Sequence, residues 1–237
     1  MKIPTSEYIR ILILRTIGNF LILASLFMIG KTFYQPVREE VRYFIEKSLN
    51  KKYVVADAKS NDSKKIQTLT IEQPKGGLAK ALKIKQVEVL VPEDPNFSIV
   101  VPEIGANARI ISSVDPADEN SYLQALQKGV AHAQGTAYPG EGGHIFLFAH
   151  STDYIWNVGT YNAVFYLLYK LEAGNEINLF YKGQRYVYRV FDKKIVEPSQ
   201  VEFLTRKTDR EFLTLQTCWP PGTSLKRLLV FATRVTE

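Results

Sequence analysis

From about Val87 onward the chain is built of short segments rich in β-branched and aromatic residues, separated by turn signals. They read VEVLV, FSIVV, ARIIS, HIFLFA, EINLFY, QRYVYRVFDKKIV, FLTLQT and RLLVFATRV. Segments of this length and composition suit pleated, half-buried strands and fall short of ordinary helices. Gln184 to Val190 alternates, with Tyr186, Tyr188 and Val190 on one face. Lys182-Gly183, between EINLFY and QRYVYRV, is a hairpin signal. The expected fold class is therefore mostly β: a largely antiparallel domain of about eight strands, with short helices around 121–128 and 163–171. The pattern fits a small barrel and a sandwich alike.

The N-terminus imposes a second constraint. From Thr16 to Gly30 the chain carries no charge (TIGNFLILASLFMIG), and ILIL extends the apolar stretch upstream of Arg15. This approaches the roughly 20 residues that a helix needs to cross a bilayer, provided Arg15 or Lys31 snorkels. The segment is apolar all round, unlike an amphipathic surface helix. Leu26, Phe27, Met28 and Ile29 follow Ser25 and make a poor signal-peptidase site, so a retained anchor is expected. Lys2, Arg10 and Arg15 precede the span and Lys31, Arg38 and Arg42 follow it, so basic residues alone do not orient it. A short N-terminal tail is easily kept inside, which puts the β domain outside.

Three regions are thus expected: 1–35 as cytoplasmic tip and transmembrane anchor, 36–95 as juxtamembrane helix and linker, and 96–237 as the β-barrel or sandwich domain. Val37, Val41, Phe44, Ile45 and Leu49 have helical spacing, and a polar, lysine-rich stretch follows them. The formal charge of +6 favours an anionic membrane surface or cell envelope. Its basic residues are scattered with no run of five, so nucleic acid is not an expected partner.

Cys218 is the chain's one cysteine, which excludes an internal disulfide and cannot by itself build a thiolate zinc site. A lone cysteine is ordinarily a small buried hydrophobe. This one, however, ends the strand-like run Phe212 to Thr217, and Trp219-Pro220-Pro221-Gly222 follows at once, where no central strand continues. Strand-to-loop exits are a usual place for reactive groups, and a nearby histidine or cation activates a thiol. His150 has the matching position after HIFLFA, whereas His132 sits in a glycine-rich loop and His144 at a strand's entrance. Arg227 opens RLLVFA.

Together these residues are recognisable. Thr214-Leu215-Gln216-Thr217-Cys218 resembles the TLxTC signature of sortases, and Arg227 follows at the family's spacing at the head of an apolar strand. His132-Ala133-Gln134-Gly135-Thr136 and Pro139-Gly140-Glu141-Gly142-Gly143, running into HIFLFAHS, resemble the family's approach to its histidine. Phe97 to Gly105 resembles its opening strand. The similarity runs in consistent order from about Phe97 to Val235, with one departure: Ala149 stands where the family more often has Gly.

The resemblance implies a closed eight-stranded β-barrel and a cysteine transpeptidase. Its substrates would be secreted proteins bearing an LPxTG-like C-terminal sorting signal, and its acceptor an amine of a peptidoglycan precursor or of another protein. Cys218 would be the nucleophile and His150 the general acid and base. Arg227 would hold substrate and stabilise the oxyanion. The active pair in this family is a minority thiolate–imidazolium population. Thr217 would help shape the oxyanion hole, while Trp219 would wall the site or plug the barrel. Leu204, with Val201 and Phe203, would line an apolar groove.

The loop from Val196 to Glu211 is too short for the sortase class with a long helical insertion. No cofactor or metal is expected: only Glu141 lies near the comparable loop, and Asp115, Asp118 and Glu119 should cap the next helix. Asp94-Pro95-Asn96-Phe97 faintly resembles the lid motif of pilin-building sortases, one place out of phase. Papain-like enzymes place cysteine before histidine, and the Ser-His-Gly-Cys motif of L,D-transpeptidases is absent. The remaining alternative is a membrane-tethered, non-catalytic β domain that binds envelope partners.

Overall fold

The computed structural model describes residues 5–49, 51–56, 87–151 and 163–235. Helix α1 (Thr5–Ser48) runs through the expected anchor and the juxtamembrane segment without a break, Pro36 included. Its stretch Glu7–Lys31 is long and apolar enough to cross a membrane. Leu14, Phe20, Leu23 and Phe27 there are largely exposed, as lipid-facing side chains would be. The chain forms two compact units, Met1–Arg42 and Tyr43–Glu237, so the last turns of α1 belong with the β domain.

That domain is a closed barrel of eight strands: β3 (Phe97–Val101), β4 (Ala106–Val114), β5 (Val130–Ala133), β6 (His144–Phe148), β7 (Glu176–Tyr181), β8 (Gln184–Val196), β9 (Phe212–Trp219) and β10 (Lys226–Arg234). Around the barrel the order is β10-β8-β7-β3-β4-β5-β6-β9, closing on β10. β4–β5 and β6–β9 are parallel and the other neighbours antiparallel. Inward positions such as Ile99, Val101, Ile145, Leu147, Leu213, Leu215, Leu228 and Val230 fill the interior.

The hairpin signal is realised as expected. Lys182 (φ 50°) and Gly183 (φ 74°) form a two-residue turn between β7 and β8, with the positive φ at both positions that a type I′ turn demands. Helix α2 (Glu119–Leu126) is also where the pattern put it, and Asp118 caps it by accepting from the Asn120 N–H.

Several expectations need correcting. VEVL forms β2 (Val87–Leu90) outside the barrel, pairing in parallel with β1 (Lys52–Val55). Val55 and Leu90 pack on Val100 and Phe180 of the barrel. The linker's central residues, 57–86, lie outside the described residues. The eighth barrel strand is instead β5, whose sequence VAHA has little strand propensity and is held by burial between β4 and β6. His132 therefore lies in a buried strand and not in a loop. Its Nε2 is 3.0 Å from the Ala137 carbonyl oxygen and 3.0 Å from Thr136 Oγ1.

The second expected helix is a series of turns with one 3-10 turn at Leu168–Lys170. Phe165, Leu168 and Leu171 are all fully buried, and this spacing of three fits the 3-10 repeat better than the 3.6 of an α-helix. Asp94 accepts from the Asn96 N–H, and the carbonyls of Pro95 and Asn96 accept from Gly183 and Lys182. Phe97 packs on His132, Tyr138 and Tyr181. The lid-like tetrapeptide is thus a turn fastened to the β7–β8 hairpin.

Candidate active site

Three neighbouring strands set the site. β6 and β9 run parallel at constant offset, from His144↔Phe212 to Phe148↔Gln216. The register ends there, with His150 two residues beyond Phe148 and Cys218 two residues beyond Gln216. β10 runs antiparallel to β9 and pairs Arg227 directly with Cys218. Directly opposed residues carry their Cβ atoms about 5 Å apart on one face of the sheet. Leu213, Leu215, Leu228 and Val230 point inward, so Cys218 and Arg227 lie on the outward face. Val196, Leu229 and Phe231 form a small outer cluster there, with Phe203 and Phe212 packed against it.

Between the ladder's last pair and the positions of His150 and Cys218 the strands are pinned twice. The Ala149 N–H donates to the Gln216 carbonyl at 3.1 Å, and the Thr217 hydroxyl donates to the Ala149 carbonyl at 2.9 Å. These bonds fix the backbone immediately before His150 and Cys218. Beyond the histidine, the Phe165 N–H donates to the His150 carbonyl. Residues 152–162, including the loop that follows His150, lie outside the described residues.

Cys218 and Arg227 are half-buried, reachable from solvent yet partly shielded. Arg227 Nη1 donates to the carbonyls of Ser224 and Lys226, both at 3.1 Å, which folds the guanidinium onto the β9–β10 loop. Burial holds the His150 ring below its ordinary pKa, so at neutral pH it is mostly the neutral base.

The remaining candidates fall in different places. Thr217 is buried on the inward face, out of phase with Cys218, with its hydroxyl taken up by Ala149. Its side chain braces the two strand ends instead of facing the groove. Trp219 packs against the barrel core and stands 5.4 Å from the Tyr169 ring, as a plug of the barrel mouth. Leu204 packs on the core, and its backbone lies against His144, at the other end of β6 from His150. It borders the outer face of β6 without joining the three.

Val201 is exposed, and Phe203 packs on the outer cluster. The β8–β9 loop carries only one 3-10 turn, Val201–Phe203, in keeping with its short length. The residues that the sequence did not mark are Tyr169 and Lys193. Lys193 Nζ donates to the carbonyls of Tyr169 and Leu171 at 2.7 and 2.8 Å. No motif or period announces a lysine that clamps a turn more than twenty residues away.

A sortase-domain family model matches residues 99–235. Sortase D of Bacillus subtilis is 29% identical over 139 residues, which cover 57% of this chain and 62% of that protein. Among solved structures, "Sortase C1 of GBS Pilus Island 1" matches with TM-score 0.51 at 28% identity, covering 60% of this chain and 64% of that one. "Group B Streptococcus Pilus Island 1 Sortase C2" matches with TM-score 0.50 at 25% identity, covering 59% and 73%. The chain thus spans less than two thirds of the length of the Bacillus relative and of Sortase C1. Family match and barrel agree over the same residues, and the chain belongs to the sortase family.

Proposed function

We propose that this protein is a membrane-anchored transpeptidase with Cys218, His150 and Arg227 as its catalytic residues. It would cleave a C-terminal sorting signal of secreted proteins and transfer the acyl group to an amine. The observation that carries the reading is the cross-strand pair Cys218↔Arg227, with His150 just past the end of β6, the parallel neighbour of β9. On this reading a nucleophile, a base and a fixed cation meet at neighbouring strand exits.

In the first half-reaction His150 takes the Cys218 proton, and the thiolate attacks the scissile carbonyl, forming a C–S bond and an oxyanion. Arg227 stabilises that oxyanion and orients the substrate backbone; its charge is permanent, so it plays no part in proton transfer. The intermediate collapses with cleavage of the C–N bond, and the imidazolium gives its proton to the departing amine. In the second half-reaction an incoming amine attacks the thioester and loses a proton to His150. The C–S bond breaks and the new amide leaves.

The outward face of β6 and β9, bordered by the β8–β9 loop, is the binding groove in this reading. The acceptor is an amine of the cell wall or a lysine of another protein. α1 is the single-pass anchor, N-terminus inside, which holds the domain outside the cytoplasmic membrane.

The test is incubation of the protein with a library of LPxTG-like peptides and a glycine or lysine amine, read by mass spectrometry. The expected result is a thioacyl adduct on Cys218, absent in Cys218→Ala, with ligated product lost in His150→Ala and Arg227→Ala. A reactive Cys218 that acquires no adduct from any peptide would overturn the proposal.

A further inference from the structure

We propose that Tyr169 is a positioning residue for the reactive thiol, and that the last turns of α1 support it. In this arrangement Tyr169 holds Trp219 in the barrel mouth and so fixes the strand end that carries Cys218. The inference deepens the reading of Cys218 as nucleophile and rests on it.

The strand end needs such support. Trp219, paired with Lys226, is the last residue of β9 in the ladder. Pro220 and Pro221 follow, and neither has an N–H to continue it. Cys218 is one residue from this terminus, so its register opposite Arg227 depends on what fastens Trp219. The indole packs against the core on one side and on the Tyr169 ring, at 5.4 Å and 54°, on the other. Tilted aromatic pairs at this separation are attractive beyond their buried area.

Tyr169 itself belongs to no strand. It lies in the 3-10 turn Leu168–Lys170, and three separate contacts position it. Leu168 and Leu171 on either side are fully buried. Lys193 of β8 clamps the carbonyls of Tyr169 and Leu171. The Lys170 ammonium lies 4.8 Å from the Tyr169 ring centroid and 5.2 Å from that of Tyr43, bridging the two rings. Tyr43 is buried in the same unit at the end of α1, with its hydroxyl 3.5 Å from Glu103 and 3.3 Å from Lys47. A continuous series of contacts therefore joins the helix end to the residue after Cys218: Tyr43, Lys170, Tyr169, Trp219. A domain cut to begin at Lys51 would lose its first member.

The experiment uses the full chain in detergent micelles, with Trp156→Phe as background so that Trp219 alone fluoresces. Tyr169→Ala, Tyr169→Phe, Tyr43→Ala and Tyr43→Phe are compared. The readouts are the rate of Cys218 modification by a methanethiosulfonate, Trp219 emission, and acyl-enzyme formation with a sorting peptide. Tyr169→Ala should red-shift Trp219 and change the thiol rate by roughly threefold to tenfold, the range that an aromatic pair's coupling corresponds to. Tyr43→Ala should move both in the same direction by less, and the two Phe variants should stay within about twofold of the parent.

If Tyr169→Ala does not fold, Tyr169→Leu takes its place, keeping bulk without the stack. A folded Ala or Leu variant with unchanged thiol rate and Trp219 emission overturns the proposal. So does a Phe variant as impaired as Ala, because the ring is then not what acts. The thiol-rate arm uses no peptide. A parent protein whose thiol reacts but takes no peptide would therefore sink the transpeptidase reading without touching this comparison.

Discussion

Replacing Thr217 by Val tests the construction of the site most directly. Val keeps the shape of the side chain and removes its hydroxyl, which donates to the Ala149 carbonyl at 2.9 Å; Thr217 is 3% exposed and Ala149 5%. At this burial no bulk water replaces the lost donor. A buried acceptor deprived of a partner costs about 1–3 kcal/mol, and the added methyl offsets part of that. A net loss of about 1–2 kcal/mol lowers the melting temperature of a domain this size by roughly 3–6 °C. The same bond ties together the residues just before His150 and Cys218, so on the proposed mechanism acyl-enzyme formation should slow by about tenfold. The controls are the parent and Thr217→Ser, which keeps the hydroxyl and loses only a methyl, worth about 1 kcal/mol. Thermal unfolding followed by circular dichroism and acylation followed by mass spectrometry supply both numbers. A Val variant as stable as the parent and equally fast in acylation would refute the bracing role of Thr217.

Three further outcomes follow from the structure. Burial, with Arg206 nearby as a lesser cause, lowers the His144 pKa from 6.5 to about 4. The unfolded chain takes up this proton below pH 6.5 and the folded one resists, so stability present above that pH declines towards pH 4. After discounting for solvent screening the contribution is about 2 kcal/mol, and urea unfolding of His144→Gln should show an acid limb flatter by that amount; an equal slope would assign the loss elsewhere. Gly129 precedes β5 with φ 156°, and a Cβ there would collide with the Arg109 backbone carbonyl, so Gly129→Ala should destabilise by about 2 kcal/mol or more in the same assay; an unchanged midpoint would contradict the close approach of β4 and β5. Arg227→Lys keeps the charge and loses the planar fork, so acylation should fall by roughly 10²-fold with little change in melting temperature. Near-parental activity would mean that charge alone suffices there.

The strands, the β7–β8 hairpin, the apolar N-terminal helix and the strand-exit positions of Cys218, His150 and Arg227 were legible in the sequence because each is written in local chemistry. β-branched runs, a Lys-Gly turn, an uncharged apolar stretch and strand-to-loop exits act through neighbours in the chain. β5 was not legible, since VAHA becomes a strand only through burial between β4 and β6. Nor was the exclusion of VEVL from the barrel, because propensity says that a segment is extended and not which partner it takes.

The same limit divides the site. Sequence alone determined which residues bear a thiol, an imidazole and a guanidinium at strand ends, and the family motif named them together. Closure of the barrel decided that β6 and β9 run parallel and that β10 lies antiparallel beside them, which makes the three ends coincide. It also decided that Thr217 faces inward to the Ala149 carbonyl and that Leu204 lies towards the far end of β6. Contacts such as Lys193 to the Tyr169 carbonyl depend on which strands the barrel sets side by side, and no local pattern along the chain encodes that choice.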